Sequence, residues 1–126
     1  MPTCPVICIV DDDDYVRVSL GSLLRSYGYA IHLFESAETF LESHAASATD
    51  CLVSDIQMPG MSGLQMYEIL LSQGMSPPVI FITAAFDEVS RLTAHRLGAA
   101  GYLLKPFDGL ALVTGIQGAL QFSSPN

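Results

Sequence analysis

A chain of 126 residues is the size of one domain, and a hydrophobic share of 50% can build a core without disulfides or metal staples. Charged residues make up only 14%, and the net charge of −8 leaves no basic footprint for direct nucleic-acid binding and is repelled by anionic membrane surfaces. No apolar run approaches the roughly 20 residues that span a bilayer, and Val6 to Val10 is too short, and lacks the basic lead-in, for a signal peptide, so a soluble cytoplasmic protein is expected.

Pro5 to Val10 is an unbroken apolar run that stops at Asp11, the pattern of a strand buried on both faces of a parallel sheet. Asp13 or Asp14 can cap the next helix, on which Val16, Leu20, Leu23, Leu24 and Tyr27 form a stripe closed by Gly28. Ala30 to Phe34 reads as a weaker strand, Ser36 as the cap of a short helix carrying Phe40 and Leu41, and Ala45 to Asp50 as a loop. Cys51 to Val53 starts a third strand that delivers Asp55 to its carboxyl end, where Met58 to Gly60 stops regular structure. Leu64, Tyr67, Leu70 and Leu71 mark a helix closed by Gly74. Val79 to Ile82 is the fourth strand, ending at Thr83; Asp87 caps a helix with Val89, Leu92 and Leu97 inside, closed by Gly98. Gly101 to Leu104 is the fifth strand, ending at Lys105-Pro106-Phe107, and Asp108 caps a last helix bearing Leu112, Val113, Ile116 and Leu120. From Gln121 the chain becomes a polar tail. Cys8 and Cys51 lie in apolar runs and Cys4 has no nearby histidine, so the cysteines read as thiols in a reducing compartment rather than as a zinc site.

Alternating strands and helices predict an α/β fold, a doubly wound parallel sheet of the flavodoxin-like order 2-1-3-4-5. In that order the ends of strands 1, 3, 4 and 5 are neighbours about 4.8 Å apart. Asp11 and Asp12, Asp55, Thr83 and Lys105 then converge on one small volume. Like charges at ~4 Å repel by about 4 kcal/mol at an effective dielectric near 20. The aspartates must therefore protonate or take up a cation, and a few hard oxygen ligands suit Mg2+. Such a site suits transfer of a phosphoryl group to Asp55, with Lys105 and the Thr83 hydroxyl as partners for its oxygens. Each of these signals is common as ordinary helix-capping, turn-forming or solvated residues; their meeting on one edge is what is specific.

Val10 to Asp13, Asp55 with Met58 to Gly63, Thr83-Ala84, Tyr102 and Lys105-Pro106-Phe107 together resemble the receiver domain of bacterial two-component response regulators, a CheY-like (βα)5 unit. The text around these motifs is similar to receivers of the FixJ type, which precede a helix-turn-helix DNA-binding domain. The resemblance implies a receiver over residues 1–122, with 123–126 a tail or the start of a linker. It implies a signalling phosphoacceptor that promotes its own phosphorylation and dephosphorylation, not an enzyme acting on a separate substrate. A histidine kinase or histidine phosphotransfer protein is the implied donor to Asp55. Asp12 binds Mg2+ directly, Asp11 does so through water, and Asp55 with the backbone carbonyl of Gln57 completes the set. Thr83 and Tyr102 are the implied switch, acting on the face of helix 4, strand 5 and helix 5, where output partners or a second receiver dock. The Lys105–Pro106 peptide is expected to be cis, and Gln57 and Ala85 tune the lifetime of the phosphoryl group. Three rival readings are a haloacid-dehalogenase-type phosphatase, a flavodoxin and a docking module that works without phosphorylation. The first wants a second aspartate where Gln57 stands, and the second wants a Ser/Thr/Gly phosphate loop where Asp11 to Asp14 stand.

Overall fold

The computed structural model describes residues 4–123, with side chains as far as Gln121. Strands β1 (Val6–Val10), β2 (Ala30–Phe34), β3 (Cys51–Asp55), β4 (Val79–Thr83) and β5 (Gly101–Leu104) alternate with helices α1 (Asp14–Ser26), α2 (Ala37–Ser43), α3 (Gly63–Ser72), α4 (Glu88–Arg96) and α5 (Gly109–Ser123). All pairings are parallel, in the order β2-β1-β3-β4-β5. The expected fold class holds.

Alternation along each strand divides the core between the two faces of the sheet. Cys8, Val10, Leu52 and Phe81 pack with Ala37 and Phe40 of α2, Met66, Tyr67 and Leu70 of α3, and Ala94 of α4. Ile7, Ile9, Cys51, Val53, Ile80 and Ile82 pack with Leu20 and Leu24 of α1 and Leu112, Val113 and Ile116 of α5. Strands β3 and β4 are buried along their full length, which makes their carboxyl ends firm mounts for side chains.

Capping follows the sequence closely. The Asp13, Ser36 and Asp87 side chains accept from Val16, Thr39 and Val89 N–H, and the Asp108 carboxylate accepts from Leu110 N–H at 3.0 Å. A capping box at α3, built from Ser62 and Gln65, was not foreseen. The Lys105–Pro106 peptide is cis, as expected.

Four expectations are corrected. Val89 and Leu92 are 71% and 49% exposed rather than inside, because α4 seats on the sheet through the small side chain of Ala94. Tyr27 does not join the α1 stripe; it is the residue after the last turn and lies exposed. The segment Ala45 to Asp50 is not wholly loop, since Ala45–Ala48 winds into one 3-10 turn. Helix α5 runs past Gln121 to Ser123, and residues 124–126 of the expected tail lie outside the described residues. Among the described residues, no helix is long and apolar enough to cross a membrane.

Candidate functional site

Register assembles the site. Val10 pairs with Ser54, so Asp11 and Asp55 are the next rank beyond β1 and β3. Asp55 pairs with Ile82, which sets Thr83 one step further along β4, and Thr83 pairs with Leu104, which sets Lys105 one step beyond β5. The backbone continues the ladder, with Lys105 N–H donating to the Thr83 carbonyl at 2.7 Å.

Carboxylate oxygens of Asp11, Asp12 and Asp55 lie within 4.8 Å of one another. Asp11 is fully buried and Asp55 nearly so, whereas Asp12 is exposed. Asp11 is fixed on three sides: Asp13 N–H donates to Oδ1 at 2.9 Å, Lys105 Nζ donates to Oδ2 at 2.9 Å, and the Arg17 guanidinium donates to its carbonyl at 2.6 Å. Arg17 is itself ion-paired with Asp14. Lys105 Nζ also reaches Asp55 Oδ2 at 3.6 Å.

One lysine does not neutralise three carboxylates. Burial first, then the Asp11 charge, raise the Asp55 pKa from 3.8 to about 6, with Lys105 pulling the other way. Burial lowers the Lys105 pKa, but the hydrogen bond and charge of Asp11, followed by the charge of Asp55, outweigh it and leave it above 10.5. The donor set is hard oxygen with one face open to solvent through Asp12, which fits a divalent cation of the Mg2+ kind.

Replacing Lys105 by Met is expected to cost about 2 kcal/mol at pH 8, because two buried carboxylates lose their counter-charge. Lys105 is 18% exposed at its side chain, and Asp55 can relieve part of the strain by taking a proton, so the cost is less than that of a fully buried pair. It should shrink by pH 5, below the Asp55 midpoint, and shrink again when Mg2+ is added. Urea unfolding at the two pH values measures this; equal losses at both would show that the lysine is not compensating Asp55.

The other expected residues are placed as follows. Thr83 is buried, and its hydroxyl sits 3.3 Å from both the carbonyl and the N–H of Ala85, so it is engaged within its own loop. Gln57 is exposed, two residues beyond Asp55. Tyr102 packs against the core beside α4, and its hydroxyl is buried without a hydrogen-bond partner among the described residues. Burial, then Asp87, raises its pKa.

The roles of three contributors escaped the sequence reading. Arg17 stands three residues after Asp14, the spacing of a helical ion pair, which was the available signal. Gly63 lies in the turn motif itself: a Cβ there would stand 2.2 Å from the Asp55 carbonyl oxygen. Glu38 gave no signal, because it reaches Met61 from another element.

The geometry has its counterpart in known proteins. A family model described as the response regulator receiver domain matches residues 7–117. The chain belongs to that family. This receiver is 38% identical over 120 residues to the transcriptional regulatory protein FixJ of Azorhizobium caulinodans, covering 95% of the receiver chain and 57% of that protein. It is 39% identical over 118 residues to the response regulator protein TodT of Pseudomonas putida, covering 94% and 52% respectively. Among solved structures, FixJ-N superposes with a TM-score of 0.84 at 32% identity, covering 95% of this chain and 96% of that one. The response regulator StyR gives 0.88 at 41% identity, covering 95% and 61%. The receiver thus spans little more than half the length of the curated relatives it matches. Receiver domains in general work with histidine kinases or phosphotransfer proteins and with Mg2+.

Proposed function

We propose that this receiver takes a phosphoryl group onto Asp55 from the phosphohistidine of a histidine kinase or a histidine phosphotransfer protein. The observation that carries the reading is the setting of Asp55: 4% exposed at a strand end, clustered with Asp11 and Asp12, and within 3.6 Å of Lys105. In this reading the carboxylates of Asp11, Asp12 and Asp55 and the backbone carbonyl of Gln57 hold Mg2+. Bound there, the ion supplies positive charge that offsets repulsion between these carboxylates and the incoming group.

The chain's own residues do the rest. An Asp55 carboxylate oxygen attacks phosphorus; the O–P bond forms as the donor's N–P bond breaks, and the departing imidazole takes a proton from water. Lys105 pairs with one phosphoryl oxygen. Thr83 gives up its Ala85 contacts and donates its hydroxyl to another. Tyr102 then turns into the space beside Thr83. A buried unpaired hydroxyl costs about 1–3 kcal/mol, so the resting position of Tyr102 is one that a modest bias can overturn. The consequence is a changed face of α4, β5 and α5, elements on which Val89, Leu92 and Leu104 already stand exposed. Gln57 and Ala85 flank the phosphoryl group and set how long it survives attack by water.

In the same reading the receiver unit ends near residue 122, 123–126 is a tail or linker start, and the output is transcription through a separate DNA-binding domain. A second receiver is the partner expected on the switched face, and the cytoplasm is the compartment that suits the free thiols of Cys8 and Cys51. The test is incubation with acetyl phosphate and Mg2+ followed by intact mass measurement. One added phosphoryl group, removed by hydroxylamine as an acyl phosphate is, supports the reading. A folded sample that gains no mass would act by docking alone.

A further inference from the structure

The loop between β3 and α3, residues 56–62, carries the Gln57 carbonyl. It is tied at its base: Ile56 N–H donates to the Ile82 carbonyl and Gly63 N–H donates to the Ile56 carbonyl, each at 3.0 Å. Its far side is held from another element. Met61 N–H donates at 3.0 Å to Oε2 of Glu38, in the first turn of α2 and 23 residues away in sequence. The loop is shaped to admit that carboxylate. Gly60 takes φ +80°, and a Cβ at that position would stand 2.6 Å from Glu38 Oε2. Gly60 therefore supplies both the left-handed backbone and the empty space that the contact requires.

Resting on the phosphoacceptor reading above, we infer that Glu38 is a positioning residue for the metal-binding loop. By clasping Met61 across the gap from α2, it limits the conformations of residues 57–60 and so holds the Gln57 carbonyl ready for the cation. A backbone carbonyl is a good ligand only when the chain that carries it is already ordered, and loss of such supporting contacts typically weakens metal binding by about tenfold or more. Two backbone N–H groups, those of Met61 and of Glu38 itself, keep the Glu38 carboxyl below its usual pKa. The clasp is consequently charged throughout the neutral range.

The experiment is a Mg2+ titration followed by amide chemical shifts on the full chain, with amide exchange at Met61 and melting temperature measured alongside. Glu38→Ala should weaken Mg2+ binding about tenfold and speed exchange at Met61, while the metal-free melting temperature stays near that of the wild type. Glu38→Gln offers the same oxygen to Met61 without the charge and should stay within about twofold of wild type. Gly60→Ala should weaken binding in both backgrounds, because φ +80° strains any residue with a Cβ, and the loss should be larger in wild type, where that Cβ also meets Glu38 Oε2. Wild-type affinity in Glu38→Ala would overturn the clasp. So would an equal loss in Glu38→Gln, because that would make Glu38 a distant charge rather than a strap. Should Glu38→Ala fail to fold, Glu38→Ser, whose side chain is too short to reach Met61, decides by the same Mg2+ and amide-exchange readouts. Failure of the wild type itself to bind Mg2+ would sink the underlying reading as well, whereas a failed clasp leaves wild-type binding intact.

Discussion

Asn in place of Asp55 should abolish phosphoryl labelling and at the same time make the metal-free chain more stable at pH 7. The first effect follows from chemistry: an amide oxygen is not a competent nucleophile, and the nearby Asp12 is an exposed residue outside the buried pocket. Labelling from acetyl phosphate should fall by at least about a thousandfold. The second effect follows from linkage. The Asp55 carboxyl has a pKa of about 6 in the folded chain against an ordinary 3.8. Below pH 3.8 it is neutral in both the folded and the unfolded chain. Between 3.8 and about 6 the folded chain keeps a proton that the unfolded chain has released, so stability falls as pH rises. Above about 6 the full cost is present, at most about 3 kcal/mol for a shift of this size. Asn fills the same space and is neutral at every pH. The variant should therefore unfold at higher urea than wild type at pH 7 and at the same urea near pH 3.5. Mg2+ should narrow the gap at pH 7, since the cation relieves in the wild type what the amide has already removed. Coincident unfolding curves at pH 7 would mean that the acidic cluster carries no stored repulsion.

Gly63→Ala should destabilise the chain by about 3 kcal/mol. Gly63 opens α3, is buried, and donates its N–H to Ile56. An added Cβ would meet the Asp55 carbonyl oxygen at 2.2 Å and Ser54 Oγ at 2.7 Å. The first of these is backbone of a central strand, which cannot swing aside as a side-chain tip can. Strand β3 and helix α3 must separate, and Asp55 moves with the strand, so labelling should slow as stability falls. Gly118→Ala is the control. It lies within α5 with nothing inside 4 Å of an added Cβ, so Ala there should stabilise by up to about 1 kcal/mol. Urea midpoints that shift in opposite directions for these two identical substitutions would bear out the packing argument; similar shifts would refute it.

Most of the fold was legible because local and global signals agree. Apolar runs such as Val79 to Ile82 lack alternation because both faces of β4 are covered, and Asp13, Ser36 and Asp87 announce helices by the chemistry of capping. The site was legible because its residues end strands, and strand order alone brings Asp11, Asp55, Thr83 and Lys105 together. What stayed hidden depends on surfaces. Val89 and Leu92 have the spacing of core residues, and spacing cannot separate a face that packs inward from one that awaits a partner. The contacts of the Thr83 hydroxyl with the carbonyl and N–H of Ala85 follow from the turn that the loop after β4 makes, which strand patterning does not specify. The contact of Glu38 with Met61 joins two elements whose approach is set only by the packed fold.

The division of the core by the sheet gives the molecule a gauge of its own opening. Cys8 belongs to one side and Cys51 to the other, both are buried, and burial pushes the Cys8 thiol up and the Cys51 thiol to about 12. Cys4 is exposed. A thiol-trapping reagent therefore meets one sulfur at once and the other two only during excursions that breach opposite halves of the interior, so that their capture rates time the two sides separately.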